Sequence, residues 1–125
     1  MLDSHRGYDA GALVMAKALA KAYEAPLVAS TISGLLVDLN RSIGHSQLFS
    51  VATRSAPAGV RAQIVEQYYQ PYRAQVERRV RHEVSRGRRV IYISSHSFTP
   101  ELYGNVRNAD VGLLYHPGRP GEAEL

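Results

Sequence analysis

Apolar and polar positions alternate along this 125-residue chain with two periods. In "YDAGALVMAKALAKAYEA", Ala12, Leu13, Ala16, Leu19, Ala20 and Tyr23 recur at the spacing of one helix face. That spacing predicts a helix. Asp9 stands where an N-cap carboxylate would accept backbone N–H groups of the first turn, and Pro26 stops the run. The longest helical pattern is "AGVRAQIVEQYYQPYRAQVERRVRHEVSRG", where Val60, Ile64, Tyr68, Tyr72, Val76, Val80 and Val84 trace an i, i+4 stripe. Pro71 removes an N–H inside it, which predicts a kink or two helices meeting there. Gly87 suits the C-terminal cap.

Four shorter segments have the composition of strands: "PLVAST", "GLLVDLN", "RRVIYISSHSF" and "DVGLLYH". The second is apolar on both faces through Leu35, Leu36 and Val37, as expected of a central strand covered by helices. Between it and the long helix lies "RSIGHSQLFSVATRSAPAG", polar and turn-rich, a loop of a length that is either functional or disordered. The closing "PGRPGEAEL" is turn-like. The order of helix, strand, strand, loop, long helix, strand, strand predicts an α/β fold with a mainly parallel sheet and right-handed crossovers. No repeat or linker divides the chain, so residues 1–125 are expected to form one domain.

Composition narrows the chemistry. There is no cysteine, which excludes disulfides and thiolate metal sites and leaves His, Asp and Glu as metal ligands. No apolar run is long enough to span a bilayer and no signal segment opens the chain, so the cytoplasm is the expected location. The formal charge is +4, and seven arginines crowd "RAQVERRVRHEVSRGRR". Such a run could bind an acidic partner or nucleic acid. Glu77 and Glu83 interrupt it and no aromatics alternate with it, so the solvated face of an amphipathic helix is the more ordinary reading.

Ligand sites in α/β sheets gather at the carboxyl ends of strands, and two strand ends carry chemistry. "LLVDLNRS" ends on Asn40, a neutral donor and acceptor, and Arg41, whose planar fork matches a carboxylate. Their structural alternative is a loop hydrogen bond and a surface ion pair. "ISSHSFT" carries His96, which could be a metal ligand, a general base or a hydrogen-bonded loop residue. His5, His45, His82 and His116 form no spaced ligand motif with it. Ser94, Ser95 and Ser97 lie outside any nucleophile-elbow pattern, and no glycine-rich phosphate loop is present.

The ordered set "SHRGYDAGAL", "APLVASTISGLLVDLNRS", "YYQPYR", "SSHSFTP" and "VRNADVGLLYHPGRPGE" resembles the N-formylglutamate amidohydrolase family across essentially the whole chain. D-L-N-R and S-H-S-F-T are its most specific parts. The resemblance implies a three-layer zinc-peptidase-like fold with a mainly parallel or mixed central sheet. It also implies zinc-activated water attacking the amide of an N-acyl amino acid, such as N-formylglutamate, to give formate and glutamate. By position, His96 matches the family's late zinc-binding histidine. Asn40 and Arg41 match the pair that holds the substrate carboxylate in related aspartoacylase-type enzymes. Arg107 matches a family motif and is a further substrate-binding candidate. Asp110, His5 and Asp9 match family motifs without an assigned role.

Three departures temper the implied activity. The family's early E-H-G-G or E-H-A-G segment, which supplies zinc ligands, is not found, and neither is the later region with the expected general base. Gly34 follows Ser33 where the family has an arginine. The resulting expectation is a domain truncated at both ends, inactive alone, with a small carboxylate-bearing N-acyl amino acid as its ligand. Membrane and nucleic-acid partners are not expected, and exposed apolar surface would favour self-association. The competing expectation is a non-catalytic module or gene-model fragment that binds an acidic partner through its arginine-rich helix.

Overall fold

A computed structural model describes residues 8–102, 104–119 and 121–122. Helix α1 spans Ala12–Ala22. It starts at the first residue of the apolar pattern but two residues later than an Asp9 cap would place it, because Gly11 takes the N-cap position with a left-handed φ of 78°. Asp9 is therefore not the cap; its backbone carbonyl accepts from Ala12 N–H at 3.2 Å, and its carboxylate is engaged elsewhere. The helix closes through Glu24, also left-handed at φ 50°, with Ala25 N–H reaching back to the Ala20 carbonyl at 2.9 Å. Pro26 then bars any continuation.

The long helical pattern is one nearly continuous rod of α2 (Ala58–Ile64), a π-helical turn (Val65–Tyr69) and α3 (Gln70–Ser85). Pro71 produces no break. A proline has no N–H and crowds the carbonyl of the residue four before it, here Gln67. A widened turn just upstream accommodates this, and Gln70 N–H bonds the Val65 carbonyl, five residues back. The extra residue changes the register of the buried stripe. Ile64 and Tyr69 are buried, while Tyr68, the i+4 position, is exposed. Gly87 ends the rod as expected: its φ is 74°, and Gly87 and Arg88 N–H groups bond the Val84 and Glu83 carbonyls at 2.9 and 3.1 Å.

The expected sheet is not what the described residues build. Their one sheet is an antiparallel hairpin of two-residue strands, β1 (Glu101–Leu102) and β2 (Asn105–Val106), with Glu101 opposite Val106. None of the four expected strands joins a ladder among the described residues; the three-layer, mainly parallel sheet expected of residues 1–125 is thus replaced there by helices and irregular chain. The physical reason is visible in where the backbone groups go. The Leu35 and Leu36 carbonyls accept the Ser50 and Thr53 hydroxyls at 2.5 and 2.9 Å, and Asp38 N–H bonds the Leu48 carbonyl at 2.9 Å. Those groups are satisfied by the following loop instead of a neighbouring strand.

The core sits where that loop meets the π-turn. Val37, Leu48, Ile64 and Tyr69 form its buried centre, with Ile32, Leu36, Leu39, Phe49 and Val65 packed around them. Segment 41–59 is therefore ordered by its own apolar residues and supplies two of the groups on which the 34–40 segment rests.

Candidate functional site

His96 brings three distant parts of the chain together. Its Nδ1 lies 2.5 Å from Asp9 Oδ2, just ahead of α1. Its Nε2 meets the Asn40 carboxamide nitrogen and lies 3.0 Å from Ser94 Oγ. Ser94 Oγ is also 3.4 Å from Asn40 Oδ1. A carboxylate can only accept, so Nδ1 carries the hydrogen and donates it to Asp9. In the neutral ring Nε2 is then the lone-pair nitrogen, accepting from the Asn40 amide. The neighbouring Ser95 hydroxyl ties this segment to α1 by donating to the Ala12 carbonyl at 2.9 Å. About half of the His96 side chain and 39% of that of Asp9 are exposed, so a small ligand can reach the ring.

The turn before His96's partner is built on Asp38. Its Oδ1 accepts from Asn40 N–H at 2.9 Å, closing an Asx-type turn, and its Oδ2 pairs with Arg41 Nε at 3.3 Å. Arg41 N–H returns to the Asp38 carbonyl at 3.2 Å. The pairing occupies one edge of the guanidinium on a partly exposed side chain, and among the described residues Asp38 is its ion-pair partner. From the other side, the buried Tyr69 hydroxyl donates to the Arg41 carbonyl at 2.7 Å.

Of the residues singled out by sequence, Asp9, Asn40 and His96 meet directly, and Arg41 adjoins them in the chain. Arg107 makes its recorded contacts with residues just after His96: its guanidinium is 5.1 Å from the Phe98 ring centre and its backbone N–H bonds the Pro100 carbonyl at 2.7 Å. Asp110 is exposed, and His5 lies outside the described residues. His45 and His116 accept local backbone N–H groups, and His82 sits 3.8 Å from Glu83. Sequence reasoning missed Ser94 as a partner of the ring and Tyr69 as a buried anchor. For Tyr69 a signal existed: Pro71 stands two positions later, where a helical register is apt to slip.

The arrangement around His96 shares one feature with a metal-ligating histidine. A zinc-ligating histidine usually hands its other ring hydrogen to a carboxylate, which fixes the tautomer and orients the lone pair. Asp9 does this for His96. However, a zinc site needs three or four protein ligands, and the described residues contain no group of three or more His, Asp or Glu side chains that could hold a metal. They therefore do not by themselves build a zinc site.

The family model of N-formylglutamate amidohydrolase matches residues 1–119. The chain belongs to the N-formylglutamate amidohydrolase family. No curated protein and no solved structure matches it. The match covers D-L-N-R and S-H-S-F-T together, the two segments whose Asn40 and His96 side chains touch. The chain is thus an N-formylglutamate amidohydrolase-like domain, and no helix among its described residues is long and apolar enough to cross a membrane.

Proposed function

We propose that the domain binds a small N-acyl amino acid of the N-formylglutamate kind at the Asp9–His96–Asn40 cluster, in the cytoplasm, and that hydrolysis of the ligand's amide is the reaction of the complete site. The observation that carries this reading is the contact of Asn40 with His96 across 56 positions of sequence. Arg41 takes a ligand carboxylate with the free edge of its guanidinium, and Asn40 offers its amide to the ligand's acyl or carboxylate oxygen. Asp9 holds the imidazole in one orientation. Arg107 is a second cation for a ligand that bears two carboxylates. Zinc is the cofactor that the family brings, and it would supply an activated water; His96 Nε2 is the ligand the described residues offer it.

With one such imidazole among the described residues, the 125-residue chain is expected to bind zinc weakly and not to turn over N-formylglutamate. Zinc content of the purified chain, measured with formate release from N-formylglutamate, tests this. The expected result is well under one zinc per chain and no formate above background. One zinc per chain with turnover abolished by His96→Ala would overturn the inactivity and leave the site assignment standing.

A further inference from the structure

The "YYQP" segment has no part in the chemistry above, yet it makes the one hydrogen bond between the long helical rod and the Asp38–Arg41 turn among the described residues. Tyr69 is only 4% exposed, and its hydroxyl donates to the Arg41 carbonyl at 2.7 Å. Arg73, one turn on, lies over the Tyr69 ring, 5.8 Å from its centre. Past Arg41 the chain parts from the rod: Ser42 and Ile43 form one wall of an open groove of about 430 Å³, and Gln70 and Arg73 form the other. The hydroxyl bond therefore sits at the point where the turn leaves the helix.

The tyrosine reaches that point because of the π-turn. In an uninterrupted α-helix the stripe from Ile64 would continue at Tyr68, which here is exposed. The widened turn Val65–Tyr69 places Tyr69 inward instead. π-Turns inside α-helices recur at functional sites because the inserted residue re-aims a side chain.

We infer that Tyr69 is a positioning residue, which the π-turn upstream of Pro71 aims at the Arg41 carbonyl so that Asn40 and Arg41 are held ready for a ligand carboxylate. This rests on the ligand class proposed above, and the test separates the two. In the 125-residue chain, Tyr69→Phe keeps the ring and removes the hydroxyl. Its cooperative thermal melt should persist. Binding of N-formylglutamate should weaken about fivefold to tenfold, the scale of one net hydrogen bond, while binding of the uncharged diamide of N-formylglutamate is unchanged. Amide hydrogen exchange at Asn40, Arg41 and Ser42 should rise.

Pro71→Ala restores a donor and favours a regular helix, so it should turn Tyr69 away and give the same selective loss with the hydroxyl still present. A merely structural Tyr69 would lower the melting temperature and weaken both ligands equally, which would overturn the inference. If the wild-type chain binds neither ligand, the ligand proposal fails. The positioning role is then decided by exchange at Asn40–Ser42, and rates unchanged by Tyr69→Phe would end it.

Discussion

Which nitrogen of His96 carries the hydrogen is set by Asp9, whose carboxylate lies 2.5 Å from Nδ1. That leaves Nε2 turned toward Asn40 and Ser94, the side on which a ligand or metal would have to arrive. Replacing Asp9 by Asn keeps the shape and supplies a group that can donate as well as accept. The expected outcome is a shift from a single Nδ1–H tautomer toward a mixture, read from the ring nitrogens in a long-range ¹H–¹⁵N spectrum. An unchanged spectrum would mean that Asp9 does not orient the ring. At this scale the sequence is informative in part. His96, Asn40 and Arg41 are legible from residue type and motif order. Asp9 is not legible from its position before α1, because an aspartate there suits an N-cap equally well, and its actual partner lies 87 positions away. Arg107 is legible as a candidate only, since its stacking on Phe98 depends on the hairpin between the two residues.

Elements were legible where the signal is local. α1 and the rod from Ala58 to Ser85 follow from a repeat within one helix and from Gly87 at the end. The π-turn is half legible: Pro71 announces a disturbance, but whether it appears as a kink or as an inserted residue depends on which tyrosine the core accepts. Strands were not legible, because a ladder depends on a partner that no window of sequence contains. Leu35 and Leu36 have the right composition, yet their carbonyls bond the Ser50 and Thr53 hydroxyls. The rod also meets the 88–98 segment through Tyr72 and Tyr92. Burial of Tyr72 raises its pKa above the ordinary 10.0, and the nearby Tyr92, including a hydrogen bond between the two, adds to this while Arg73 opposes it. A phenol whose folded pKa is raised contributes stability that is present below the unfolded value and lost as pH climbs through the folded one. Urea melts should therefore show stability falling above pH 10, with the fall reduced in Tyr72→Phe. Equal slopes in the two chains would show that Tyr72 is not linked to folding.

At the scale of the whole molecule, the buried centre of the core is small and much apolar surface stays in water. Ile91, Tyr92 and Ile93 are all at least half exposed, and Leu113 and Leu114 more so. We expect this surface to drive self-association, and sedimentation velocity across a concentration series checks it; a monomer at every concentration would contradict it. The ion pairs near the end of the rod contribute little to holding the fold, because Arg81–Glu77 on α3 and Arg88–Glu83 just past it are largely solvent-exposed. The proposed ligand site thus lies where residues 9, 38–41 and 94–96 converge, beside the Tyr69 hydroxyl that bonds the Arg41 carbonyl.

The most direct test of that account is a titration of the ¹⁵N-labelled 125-residue chain with N-formylglutamate, followed by NMR. The account predicts saturable shifts at Asn40, Arg41 and the His96 ring, lost in Arg41→Ala. Absence of saturable shifts at those three residues, or shifts confined to the arginines of α3, would contradict it.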